Sequence, residues 1–577
     1  MSDIHHTQES SRISTTDTLI DGASPQDHAS KLADPNAYPS VIPPTHTNRT
    51  LIVCFDGTGD QFDNDNSNIV KFVSLLKKDD RTQQMVYYQT GIGTYTSSPK
   101  TTVSPWSAKI QKTIDLMFAT SLNAHVQGGY QFLMQNYAAG DKICIFGFSR
   151  GAYTARSLAG MLHKIGLLPP YNAEQIPFAY QMYLNTEKSG WAQSNEFKRT
   201  FSINVDIEFV GVWDTVASVG LIPDIRLPFT TSNAVVKTFR HAVSLDERRA
   251  KFKANLWNTP DDKDANLGLP LPPPSEEVPP TPTEATSTAV EAKSGSGFTQ
   301  RKGKSQVKRP VGVKQADKGN DDLSALERTH SHHASRGGER KPTDIKEVWF
   351  AGCHCDVGGG SVNNETRHSL ARIPLRWMVR EIFKANTGIL FEADRLFEIG
   401  MHPASLYPEV KPRSTTLQDV GNRKIRKHSV KEIPTRPHAV LTYLNEEPAL
   451  EDVCDPKPLG VDDFLGEDEE ELMDALSPAY DQLEKWSWWF MEKIPLSLLW
   501  QEESGWVSCR GRNLEAPRYI PHQKDAGIRI HRSVKLRMEA EFEDEALKKK
   551  YSESDGKYEP RPDITVEPKW VDLDPNA

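Results

Sequence analysis

The sequence predicts an α/β fold, a mostly parallel sheet flanked by helices. Three observations predict it. Short apolar runs alternate with longer helical patterns from Leu51 to about Trp257, as they do where helices cover a parallel sheet. A further buried-strand pattern, Ile345 to Phe350, resumes after a long polar interruption. One run, Lys142 to Phe146, passes directly into Gly147-Phe148-Ser149-Arg150-Gly151 and then into an Ala/Leu-rich helical stretch, the order of a tight strand-to-helix turn.

Residues 1–48 are rich in Ser, Thr, Asp, His and Pro without periodicity and read as a disordered leader. Strands are expected at Leu51 to Phe55, Met85 to Tyr88, Lys142 to Phe146 and Ile207 to Trp213. Residues 258–342 are filled with Pro, Ser, Thr, Lys and Gly and read as a disordered insertion. It splits one domain, residues 49–257 and 343–400, in sequence and not in space, because loop-closure cost grows only logarithmically with length. The stretch Leu370 to Lys384 has helical spacing, with Ile373, Leu375, Trp377, Met378 and Ile382 on a core face.

Residues 401–540 read as a C-terminal helical extension packed on this domain, and residues 541–577 as a charged, solvated or frayed tail. The aromatic run Trp486 to Trp500 has two readings. Core packing is favoured, since aromatic stripes more often bury than bind; peripheral membrane contact through Trp, Leu, Lys485 and Lys493 is the other.

The whole-chain numbers exclude some classes. A net charge of -9 offers no general attraction to phosphate backbones, so nucleic acid is excluded as a partner. Six cysteines in 577 residues are too sparse for a disulfide framework and are expected as reduced, buried thiols. The polar start carries no signal-peptide pattern, and no apolar run reaches the about eighteen residues of a membrane span, so a cytoplasmic or membrane-peripheral chain is expected.

The chemistry concentrates on Ser149. Gly147 and Gly151 permit a cramped turn that presents the Ser149 hydroxyl above a helix N-terminus, where developing negative charge is favoured. A serine hydroxyl needs a base, and the base needs an acid to fix its tautomer. Asp214, ending the strand before Thr215, is the candidate acid; His354, in the glycine-rich loop after the next apolar strand, is the candidate base. His241 and His531 are the rival histidines, each in a helix-like, charge-rich setting. The N–H of Arg150 and that of Gly57 or Thr58 are the candidate oxyanion donors, with Asp56 orienting the loop.

Asp356 follows the candidate base, and with Asp56, Asp60, Asp63, Asp65 and the Cys353-His354-Cys355 cluster it raises a metal reading. Zinc is set aside: alternate residues of an extended chain point to opposite faces, and no second Cys/His pair stands at zinc spacing. No cofactor or metal is needed for the chemistry of the serine.

Several blocks occur together in one order: Phe55 to Gly59 (FDGTG), Tyr88 to Gly93 (YQTGIG), Gly147 to Tyr153 (GFSRGAY), Val212 to Val216 (VWDTV), Arg240 to Arg248 (RHAVSLDER) and Gly352 to Gly360 (GCHCDVGGG). Pro374 to Met378 and Ile530 to Val534 extend the set. The chain thereby resembles the α/β-hydrolase-like domains of bacterial type VI secretion phospholipase effectors of the Tle kind and of many fungal proteins. The resemblance covers about residues 49 to 385, with an echo near residue 531. It implies a Ser-Asp-His triad at Ser149, Asp214 and His354, and hydrolysis of carboxylic esters, with phospholipid or another acyl ester as substrate. The competing readings are a non-catalytic interaction protein that keeps the fold, and a thioesterase or peptidase using the same triad. Partners of the insertion are left open.

Overall fold

The computed structural model describes residues 38–45, 48–57, 60, 62–91, 108–216, 226–258, 309–331, 342–429, 463–484, 486–503, 505–551 and 554–574. The strands in chain order are β1 (Val41–Ile42), β2 (Thr50–Phe55), β3 (Gln84–Gln89), β4 (Lys142–Phe148), β5 (Ile207–Trp213), β6 (Val236–Ser244) and β7 (Val311–Ala316). They continue with β8 (Asp344–Phe350), β9 (Phe391–Glu392), β10 (Leu496–Glu502), β11 (Gly505–Arg512), β12 (Arg529–His531) and β13 (Lys569–Val571). The helices that position the site are α1 (Asn68–Leu75), α2 (Ala108–Asn136), α3 (Ser149–Ile165), α4 (Lys318–Ser331), α5 (His354–Gly358), α6 (Arg372–Lys384), α7 (Glu467–Ala475), α8 (Trp486–Lys493) and α9 (Arg532–Glu539).

All six positions of β2 are buried, and β4 and β5 are buried at every position but one each. Apolar runs of this kind belong in a sheet covered on both faces. Successive side chains divide between two cores. Leu51, Val53 and Phe55 join Leu133 of α2 and Leu158 of α3, while Ile52 and Cys54 join Phe72 of α1 and Met378 of α6. The result is an eight-stranded sheet in the order β13-β12-β8-β6-β5-β4-β2-β3. Every neighbouring pair is parallel, so all eight strands deliver their C-terminal ends to one edge. That edge is where open α/β sheets build sites.

The structure departs from the sequence reading in four places. Arg240 and His241, read as lying in a helix-like stretch, belong to the central strand β6. Their charges do not mark a surface. Arg240 Nε donates to Glu381 at 2.6 Å, and His241 Nδ1 lies 2.8 Å from Glu347 Oε1. His531, the other rival, closes β12 and caps α9, accepting from the Ser533 N–H.

The expected tail, residues 541–577, supplies β13, which pairs parallel with β12 and carries buried Val571. The sheet therefore takes its last two strands from beyond residue 400. Inside the predicted insertion, β7 pairs antiparallel with β11 of a three-stranded sheet, and Glu327 of α4 accepts the Phe229 N–H at 2.6 Å. The remainder of that insertion, and most of the predicted leader, lie outside the described residues.

Five cysteines, Cys54, Cys144, Cys353, Cys355 and Cys509, are buried free thiols. Cys454 lies outside the described residues. Among the described residues, no helix is long and apolar enough to cross a membrane.

Candidate active site

The turn from β4 into α3 places Ser149 at φ +60°, a conformation that L side chains adopt only under constraint. The two flanking glycines explain how the chain passes so closely. A Cβ on Gly147 would stand 2.5 Å from Gly151 O, and one on Gly151 would stand 2.3 Å from Asp56 O. Neither position has room for any other residue, because backbone rather than a yielding side chain fills the space. The expected Gly-x-Ser-x-Gly elbow is thus a packing requirement between β4, α3 and the end of β2.

Asp214 follows β5 at φ +41° and is fully buried. His354 follows β8 as the first residue of α5, whose N-terminus is closed by Cys353 and by Asp356 reaching back to the Cys353 N–H at 2.8 Å. The ends of β4, β5 and β8, with β6 between the last two, so bring together three residues that stand far apart in the sequence. His354 Nε2 lies 2.8 Å from Ser149 Oγ, and His354 Nδ1 lies 2.5 Å from Asp214 Oδ2.

The surroundings of His354 are closely set. Its backbone N–H donates to Glu247 Oε2 at 3.2 Å. Its ring packs on Phe148 at 4.8 Å between centroids and meets Phe252 edge-on at 4.9 Å. Arg249 lies over the Phe252 ring and beside Trp488 of α8, so this part of the aromatic run packs on the site. Ser149 keeps 6% of its surface exposed and His354 4%.

Charge follows from burial and partners. Burial alone raises the carboxyl of Asp214, yet the Arg518 guanidinium and His354 hold it well below the usual carboxylate range. Burial draws the His354 imidazole below its ordinary value, opposed by the hydrogen bond and charge of Asp214. An ionised acid, a neutral base and an adjacent hydroxyl together form a relay able to remove the Ser149 proton.

Of the remaining candidates, Asp56 does hold its loop. Its carboxylate accepts from Ser67 Oγ at 2.6 Å and Tyr88 OH at 2.8 Å, and burial pushes it up to about 6. The same carboxylate corrects the Gly57 assignment, because the Gly57 N–H donates to Asp56 Oδ1 at 2.8 Å. Thr58 lies outside the described residues. Arg150 lies in the first turn of α3. Asp356 anchors the Tyr480 N–H and does not reach the relay, and burial pushes it up to about 7.

His241 stands behind Asp214, where its Nε2 accepts the Thr215 N–H at 3.0 Å. His531 stacks on Phe350 on the far side of β8. One partner of the acid has no sequence signal: the Arg518 guanidinium donates to both oxygens of Asp214. No motif surrounds it, and nothing short of the fold relates it to the acid.

The profile of a family described as type VI secretion system phospholipase effector Tle1-like, catalytic domain, matches residues 49–381, more than half of the chain. An uncharacterized protein of Saccharomyces cerevisiae, YEL023C, is 28% identical over 560 residues, covering 86% of this chain and 80% of that one. Among solved structures, an uncharacterized Pseudomonas aeruginosa protein aligns at 17% identity and TM-score 0.26, covering 59% of this chain and 46% of its own. A Tle1 effector bound to the VgrG spike of the type VI secretion system aligns at 20% identity and TM-score 0.22, covering 37% and 48%. The chain thus spans about half the length of these two solved proteins. By the match over residues 49–381, the chain belongs to the Tle1-like phospholipase effector catalytic-domain family.

Proposed function

We propose that the chain is a cofactor-free serine hydrolase of carboxylic esters, with phospholipids as its substrate class. The observation that carries the reading is the unbroken relay from Ser149 Oγ through His354 Nε2 and Nδ1 to Asp214 at the C-terminal edge of the sheet. Ser149 Oγ attacks the ester carbonyl while its proton passes to His354 Nε2, and Asp214 stabilises the imidazolium. The N–H of Arg150, at the positive end of α3, holds the oxyanion. Collapse of the tetrahedral intermediate expels the alcohol, which takes the proton from Nε2. Water, deprotonated by the same nitrogen, then releases the acid from Ser149.

Membership of a phospholipase effector family favours lipid esters among the esters this chemistry cleaves. Incubating the full chain with phosphatidylcholine vesicles, a p-nitrophenyl ester, an acyl thioester and a peptide tests both parts. Fatty-acid release should dominate, and Ser149→Ala should lower it by about 10,000-fold or more. A folded wild-type chain that cleaves none of the four, or a variant as active as wild type, contradicts the reading. Preference for the thioester or peptide would move the substrate class and leave Ser149 in place.

A further inference from the structure

We infer that Arg518 is a positioning residue of this site, a fork that fixes the Asp214 carboxylate and, through it, the imidazole of His354. The inference rests on the proposed function. Arg518 NH1 donates to Asp214 Oδ1 at 2.5 Å and to Ser244 O at 3.1 Å. NH2 donates to Asp214 Oδ2 at 2.8 Å and to Phe252 O at 2.7 Å, and Nε donates to Phe252 O at 3.1 Å. All five N–H groups of the guanidinium are thereby used.

The carboxylate is equally complete. Asp214 Oδ1 accepts from Arg518 and from the Ser244 N–H at 2.8 Å, and Oδ2 accepts from Arg518 and His354. Four donors occupy about four lone-pair sites, so the carboxylate plane cannot rotate without breaking several bonds at once. Both side chains are almost wholly out of solvent, 1% and 0% exposed, where a point charge would neutralise Asp214 without setting its plane.

Arg518 lies outside the residues matched by the family profile, which end at 381. The segment that carries it is pinned to the catalytic part from several sides. Asn513 Nδ2 donates to Arg248 O at 2.7 Å, Lys253 Nζ donates to Ala516 O at 2.8 Å, and Arg248 pairs with Glu515. The same fork grips the carbonyl of Phe252, the residue whose ring meets His354. The C-terminal part of the chain therefore completes the site and does more than cover it.

The charged and titratable groups around His354 are Asp214, Glu247, Arg249, Cys353, Cys355, Asp356 and, across Asp214, Arg518. Removing the Arg518 charge leaves the full charge of Asp214 to act on the imidazole. His354 then holds its proton to higher pH, and the acid limb of reactivity moves up.

The test is the rate at which a fluorophosphonate probe labels Ser149 in the full chain, followed across pH, for wild type, R518M and R518K, with circular dichroism to confirm folding. R518M should label about 100-fold more slowly, with an acid limb raised by about one pH unit. R518K keeps a charge without the fork and should label more slowly than wild type with its limb unmoved. A folded R518M with a wild-type limb overturns the inference, whatever its rate, because a merely structural loss does not move the limb. If R518M does not fold, a wild-type rate in R518K overturns it. A wild-type chain that takes no label on Ser149 removes the proposed function as well; a labelled wild type with indifferent Arg518 variants removes this inference alone.

Discussion

Ser149 at φ +60° and Asp214 at φ +41° are two non-glycine residues in the left-handed region at the ends of adjacent strands. Such conformations cost about 1–3 kcal/mol each and persist where the surroundings overdetermine them. Here Gly147 and Gly151 crowd one turn, and Ser244, His354 and Arg518 bind the other. A pH dependence follows at this scale. His354 accepts a proton only when neutral, and burial lowers its affinity for protons below the ordinary value of 6.5 while Asp214 opposes. The acid limb of kcat/KM for a soluble ester should therefore lie below pH 6.5. A limb at or above that value would show that Asp214 outweighs burial. The convergence of Ser149, Asp214 and His354 is legible because each sits just past an apolar strand. Gly57 was misread because the owner of its N–H depends on the rotamer of Asp56. Arg518, 304 residues from Asp214, carries no local signal at all.

Helices α6 and α7 show how the C-terminal part is held. Arg372 and Arg376, one turn apart on α6, both donate to Asp474 of α7, at 3.1 and 2.6 Å, and Arg380 pairs with Glu467. Glu471 on α7 turns to Arg532 of α9 at 2.7 Å. In the acidic run from Glu467 to Glu471, Glu470 and Glu471 are buried against guanidinium groups, as is Asp474 beyond it. Asp474→Ala would leave Arg372 and Arg376 without this shared partner, and breaking a buried pair costs about 3–5 kcal/mol. Urea unfolding of the full chain should show a loss of that size; a change under about 1 kcal/mol would mean that Glu470 and the Ile399 carbonyl suffice. The sequence made β2, β4 and β5 plain, since their runs are almost wholly apolar on both faces, and β8 through its apolar end, Val348 to Phe350. It hid β6, where Arg240 and His241 put polar side chains into the core. It also hid β12 and β13, three residues each, too short for any periodicity to show.

Among the described residues the main sheet has eight strands, with β3 at one edge and β13, from the far end of the chain, at the other, and two smaller sheets stand beside it in the chain's pairing. The α/β class followed from the alternation of apolar runs and helical patterns, which depends only on neighbours in sequence. The contribution of residues 505–574 did not, because it rests on pairings and ion bridges made across the fold, such as β12 with β8 and Arg518 with Asp214. Covalent capture shows whether this assembly makes one buried serine nucleophilic. The full chain is treated with a fluorophosphonate probe, digested, and the adduct located by mass spectrometry. A single adduct on Ser149 is expected, absent from Ser149→Ala and strongly slowed in His354→Ala. An adduct on another serine, or a folded chain that takes none, would contradict it.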